Sequence, residues 1–222
     1  MDKIKCTDLF EPSGIDIVDS LVFSKENPWL ILKEIQSYIV SLIEKGVEGY
    51  TLLKEGVLIG QDVKIAETAT INGPTIIGNH VEIRPGAYIR GSVIVGDESV
   101  VGNSSELKNA ILMRHAQVPH YNYVGDSIVG NYAHMGAGSI LSNLRSDGKN
   151  IILHGEEEHE TGLRKIGAFL GDHADIGCGS VLNPGTVIGK NTQVYPLSML
   201  RGIYKENSIV KSTHCVVEKE ER

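Results

Sequence analysis

From Ile59 onward one aliphatic residue recurs every six positions: Ile59, Ile65, Ile71, Ile77, Ile83, Ile89, Val95 and Val101, with Leu107 and Met113 in the same phase. The spacing resumes at Val129, Met135 and Leu141, and again from Leu170 through Ile176, Leu182, Ile188 and Val194 to Leu200. A helix repeats near 3.6 and a strand at 2, so neither sustains a period of six. Each hexad instead predicts one short strand and a turn, and three hexads predict one triangular coil. The residue at i then stacks on i+18, which sets Ile83 over Ile65 and Val101 over Ile83 as the wall of a continuous interior. Glycine follows the aliphatic directly at Gly60, Gly78, Gly96 and Gly102, and these predict tight corners.

The register fails twice. Met113 to Val129 is 16 residues and Leu141 to Leu170 is 29, neither a multiple of six. Both intervals predict irregular excursions, and long excursions in compact domains are frequently functional. The second holds Arg145-Ser146-Asp147-Gly148-Lys149 and the run Glu156-Glu157-Glu158-His159-Glu160, which reads as a solvated loop.

Residues 1–50 follow a different rule. Asn27-Pro28 is a helix start, Leu32, Ile35, Ile39, Leu42 and Ile43 recur at spacings of three and four, and Gly46 closes the segment. An amphipathic helix over 28–45 is expected to pack across one end of the solenoid, whose edge strands need covers. The expected organisation is an N-terminal segment over 1–50, the solenoid over 51–211 and a tail over 212–222 that covers the other end.

Composition narrows the function. A net charge of −7 argues against a broad basic surface for nucleic acid but leaves room for a small cationic pocket that takes phosphates. Cys6, Cys178 and Cys215 are three, far apart and without a CxxC, which fits a reducing compartment rather than a disulfide framework or a zinc knuckle. Cys178, beside Ile176-Gly177, reads as a small packed hydrophobe. No signal-like start and no long apolar run is present, so a cytoplasmic protein without a membrane partner is expected.

Chemistry concentrates around the first break. Arg84-Pro85-Gly86-Ala87, Glu106-Leu107-Lys108 and Pro119-His120-Tyr121-Asn122-Tyr123-Val124-Gly125-Asp126 stand in order, followed by Gly130, Met135-Gly136-Ala137-Gly138 and Asn143. This set resembles the hexapeptide-repeat acyltransferases, in particular the acetyltransferase half of bifunctional glucosamine-1-phosphate acetyltransferase/N-acetylglucosamine-1-phosphate uridyltransferase. The resemblance implies an all-β solenoid, a left-handed parallel β-helix, assembled as a homotrimer with sites between neighbouring solenoids. It also implies acetyl-CoA as acyl donor, no required metal, and an amino sugar phosphate or nucleotide sugar as acceptor. His120 takes the place of the general base, and a free imidazole pKa near ~6.5 suits that task. Arg84 and Lys108 match the cations that hold the sugar phosphate, Tyr123 matches a substrate-contacting tyrosine, and Lys149 matches a further lysine near the substrate. His134 stands where the family has asparagine. On the cofactor side Ala137 and Asn143 match, whereas Leu144 replaces a tyrosine and Asp172 a serine. The nucleotidyltransferase half (UDP-N-acetylglucosamine pyrophosphorylase) has no counterpart in the sequence, so uridyltransferase activity is expected to be absent.

Two other readings use the same features. His80, His115 and His120 have spacings similar to the histidines of γ-type carbonic anhydrases, also left-handed β-helices, which bind zinc between subunits and leave a position for water. A solenoid that binds sugar nucleotides without catalysis is the third.

Overall fold

The computed structural model describes residues 2–212 and 215–219. Short strands stack in parallel registers that build a three-faced prism of about nine turns, a parallel β-helix. The first face runs through Val57–Ile59, Thr75–Ile77 and Val93–Val95, the second through Lys64–Ile65 and Glu82–Ile83, and the third through Thr70–Ile71 and Tyr88–Ile89. Ile65 pairs with Ile83 and Ile83 with Val101, as the i+18 rule expects. The inward rungs form one continuous apolar cluster along the axis.

The first irregularity is a one-residue contraction in each of two successive coils rather than an excursion. Strands Glu106–Leu112 and Tyr123–Val129 pass from the third face to the first without a break, turning at Asn109 and Asp126, which hold left-handed φ values of 48° and 49°. Leu107 therefore pairs with Val124 and Leu112 with Val129, each 17 residues on. Leu112 is the inward rung in place of Met113, which is buried instead in the outer cluster beneath the N-terminal helices. The second irregularity is a true insertion between coils. It carries an antiparallel hairpin, Ile152–His154 with Glu158–Glu160, and Leu141 meets its partner Leu182 only after it. The acidic run is not simply solvated. The Glu156 and Glu157 backbone N–H groups donate to the Asp2 carboxylate, and His159 Nε2 lies 3.0 Å from it.

Glycine after a rung serves stacking more than turning. The left-handed edge positions belong to side-chain-bearing residues such as Asp62, His80, Glu98 and His115, whereas Gly102 has no such φ. A Cβ on Gly102 would lie 1.6 Å from the Pro119 carbonyl oxygen of the next coil. Gly102→Ala is expected to force the backbones apart and lower stability by about 3 kcal/mol, read as a shifted urea midpoint.

The N-terminal segment folds as α1 (Cys6–Leu9), α2 (Asp16–Val22), α3 (Pro28–Ile31) and α4 (Ile35–Lys45). The expected single helix over 28–45 is thus two, starting at Pro28 and closing at Gly46, and it covers a flank rather than an end. Ile31, Ile35 and Ile39 join a second core with the outward residues of the first face, among them Ile76, Ile94, Ile111, Ile128 and Phe169. First-face strands are therefore buried on both sides, which explains why strands such as Val57–Ile59 and Val93–Val95 are apolar throughout. Hairpins close the solenoid: Thr51–Lys54 pairs with Val57–Ile59, and Cys215–Glu218 with Ser208–Ser212. Of the tail expected over 212–222, residues 213–214 and 220–222 lie outside the described residues. Among the described residues no helix is long and apolar enough to cross a membrane.

Candidate functional site

The prism has three edges, and the candidate residues divide among them. Where the second face turns into the third, the backbone registers place Pro85, Asn103, His120 and Ala137 on successive coils, with Arg84 one residue before Pro85. The His120 carbonyl accepts from the Gly138 N–H at 2.9 Å, so His120 and Ala137 are immediate neighbours along this edge. Buried Asn122 locks the corner. Its Oδ1 accepts from the His120 N–H at 3.0 Å, while its Nδ2 donates to the Gly136 carbonyl at 2.8 Å and to Ser139 Oγ at 3.1 Å. The His120 imidazole itself is exposed and engaged by no group among the described residues.

His134 lies on the second face beside this edge, and its Nδ1 is 2.9 Å from the Asp175 carboxylate. Arg84 is not free. Its Nε and Nη2 donate to the two oxygens of Glu82 at 3.1 and 3.3 Å, and that guanidinium holds the Glu82 carboxyl below its ordinary range.

The edge between third and first faces carries a connected polar cluster. Asp126 is its centre, with the side chain almost wholly buried. Its carboxylate accepts from Asn109 Nδ2 at 2.9 Å and from Asn143 Nδ2 at 2.5 Å, and Lys108 Nζ lies 3.5 Å away. Tyr123, on the third face, joins through Asn143. Burial pushes the Tyr123 phenol up, with the Glu106 and Asp126 charges adding to it, against Arg90 and the Asn143 hydrogen bond. Gly125 leaves the space for this pair, since a Cβ there would meet the Tyr123 hydroxyl at 2.6 Å and Asn143 Nδ2 at 2.8 Å. Leu144 follows, exposed, and forms a β-bridge with Lys165. Lys149 is exposed in the insertion, outside any strand.

Asp172 does not join the cofactor-side residues. It occupies the remaining edge, between first and second faces, with both oxygens committed: Oδ1 accepts from the Asn131 N–H at 2.7 Å and Oδ2 from the Glu11 N–H at 2.7 Å. The carboxylate ties the N-terminal segment to the solenoid, a fold role that a residue-by-residue match cannot reveal. His80 and His115 stand on that same edge, one edge away from His120. His115 Nε2 lies 2.8 Å from Glu98, and its ring stacks on Tyr132, which stacks on His173, at centroid separations of 4.6 and 5.0 Å. Within one chain the three histidines of the zinc reading do not come together, His120 lying one edge away from the other two, and among the described residues of that chain no cluster of three or more His, Cys, Asp or Glu side chains is arranged to hold a metal. Cys178 is exposed on the edge that carries His120 and Ala137, not packed: the rung is Ile176, and the edge residue two positions on points outward.

Sequence alone does not single out Asp126: it lies within the 119–126 stretch, yet only the fold shows that it joins Lys108 to Asn143. Its signal was a carboxylate one residue after Gly125, at a contracted edge.

Residues 71–157 match the model of the GMPPB C-terminal domain family. The chain is 35% identical over 189 residues to the bifunctional protein GlmU of Methanocaldococcus jannaschii, covering 82% of this chain and 46% of that protein. It is 34% identical over 176 residues to the uncharacterized acetyltransferase YaiX of Escherichia coli, covering 76% of each. Among solved structures, the N-acyltransferase AntD from Bacillus cereus, in complex with dTDP-4-amino-4,6-dideoxyglucose and coenzyme A, is 19% identical with a TM-score of 0.42, covering 80% of this chain and 93% of that one. The chain spans less than half the length of the bifunctional relatives it matches.

Proposed function

Because the chain belongs to the hexapeptide-repeat acyltransferase family, we propose that it transfers an acyl group, acetyl foremost, from coenzyme A to the amino group of a sugar phosphate or nucleotide sugar. The observation that carries this reading is His120: an exposed, unengaged imidazole on an edge held rigid by Asn122, directly beside Ala137. Coenzyme A supplies the activated acyl group. The Ala137 segment fits it, since an exposed small residue lets a thioester approach the backbone.

His120 removes a proton from the acceptor amine as the nitrogen attacks the thioester carbonyl. The C–N bond forms, the C–S bond breaks with its electron pair going to sulfur, and the proton held on His120 passes to that sulfur, so the free thiol leaves and the imidazole is restored. Holding amine and thioester in line supplies most of the acceleration, so few catalytic groups are needed.

Within one chain the His120 edge and the Asn143 edge lie on opposite sides of the third face. A homotrimer reconciles them by seating one protomer's His120 edge against its neighbour's Asp126–Asn143 edge. Exposed apolar side chains support that packing: Tyr88, Ile140 and Met199 on the third face, with Tyr121 and Leu197, 65% and 85% exposed, on the His120 edge. The first face, under the N-terminal helices, is closed to such contact. A cytoplasmic setting suits the donor and the three free cysteines.

The test is thiol release from acetyl-CoA against a panel of glucosamine-1-phosphate and nucleotide-linked amino sugars. One acceptor is expected to drive stoichiometric release together with an N-acetylated product. Silence across the panel, with the protein folded and oligomeric, sinks the reading.

A further inference from the structure

Both cations that the resemblance offers to a phosphate are already met by acids, Arg84 by Glu82 and Lys108 by Asp126. Cations without an acid partner gather elsewhere. Lys33, in the turn between α3 and α4, and Arg164 and Lys165, at the end of the insertion, line one cavity of about 560 Å3 beside the edge that carries Asn143. All three are exposed. Among the described residues Lys33 and Lys165 form no ion pair, and the Arg164 Nε–H donates only to the Gly148 carbonyl, at 3.1 Å.

The rest of the lining is Leu32, Leu144 and Leu163 on the walls, with Asn109 and Asp126. Asp126 is the single acid, and its carboxylate is occupied by Asn109, Asn143 and Lys108. Three cations thus line one cavity in a chain whose net charge is −7, with none of them in an ion pair among the described residues. Two elements foreign to the solenoid repeat, the helical segment and the insertion, converge to build this cavity. Uncompensated like charges of this kind attract a polyanion, and the arginine fork suits phosphate oxygens. The leucine walls suit an organic group attached to it.

We propose that this cavity binds the diphosphate of a nucleoside diphosphate, the phosphates on Lys33, Arg164 and Lys165 and the organic portion against Leu32, Leu144 and Leu163. The site deepens the transferase reading and rests on it only for which substrate supplies the diphosphate, coenzyme A or the nucleotide sugar.

Calorimetric titration of the full chain with coenzyme A, UDP-N-acetylglucosamine and inorganic pyrophosphate tests it, comparing wild type with Lys33→Ser/Lys165→Ser and with Arg164→Ser. These exposed positions are expected to leave the urea midpoint unchanged. Affinity for one of the two nucleotides is expected to fall about tenfold in each variant, and the variants' binding is expected to depend less on salt. Loss for coenzyme A alone assigns the site to the donor, and loss for UDP-N-acetylglucosamine alone assigns it to the acceptor. Unchanged affinity for every probe, or no binding of any probe to the wild type, overturns the proposal. Acetyl transfer by a wild type whose variants bind normally leaves the transferase reading standing without this site. Weakened nucleotide binding in a chain that transfers nothing to any amine leaves the site standing without the reading.

Discussion

His120→Ala lowers kcat for acyl transfer by about 10²–10⁴-fold, the usual contribution of a positioned general base, while KM for the acyl donor stays within about twofold. The imidazole touches nothing that the fold needs, since only the His120 backbone enters the corner network through Asn122 and Gly138. The variant is therefore expected to unfold at the wild-type urea midpoint, which separates lost chemistry from lost structure. Asn143→Ala is expected to weaken the donor side instead, by removing the amide that links Tyr123 to Asp126. If sites form between protomers, mixing the two variants by co-refolding restores part of the activity, because some interfaces pair an intact His120 edge with an intact Asn143 edge. Full activity in His120→Ala alone would refute the base assignment, and no recovery in the mixture would refute the shared site.

Asp172→Ala carries the largest expected effect on stability, about 3 kcal/mol or more. It strands the Asn131 side-chain amide and the Asn131 and Glu11 backbone N–H groups, and it releases the N-terminal segment from its edge. Burial dominates this carboxyl and pushes it above the ordinary carboxylate range, against the hydrogen bonds from Glu11 and Asn131 and the Lys190 charge. The folded chain thus keeps the proton to higher pH than the unfolded chain does. Its stabilising contribution is complete below the unfolded value of 3.8 and declines as pH rises through the raised folded one. The penalty of Asp172→Ala, from urea unfolding, is accordingly larger at the acid end than at neutral pH. A penalty that instead grows toward neutral pH would contradict a raised carboxyl.

A period of six is a local property, and so the solenoid and most of its rungs were legible. Ile65, Ile83 and Val101 stack because side chains 18 apart in a three-strand coil have no other place to go. The slip from Met113 to Leu112 was less visible, since both residues are apolar and buried and only the shared edge at Asn109 decides which points inward. A sign of the covered flank did exist. First-face strands such as Val93-Ile94-Val95 are apolar at all three positions, whereas second-face strands such as Glu82-Ile83 alternate.

Motif matching found His120, Ala137 and Asn143 at solenoid edges, but it could not say which edge. That depends on how many residues each coil consumes, and two coils here consume 17 rather than 18. Asp172 stacks on Asn131, 41 residues earlier because the insertion intervenes, and so falls on the remaining edge, among the partners that anchor the N-terminus. Sequence by itself determined the repeat, the apolar axis and the residue types available for proton transfer, because each follows from spacing or from a side chain's own chemistry. Tertiary structure alone decided that Arg84 and Lys108 are neutralised, that Asp126 joins its neighbours, and that Lys33, Arg164 and Lys165 line one cavity, because charge placement depends on distances that only folding sets.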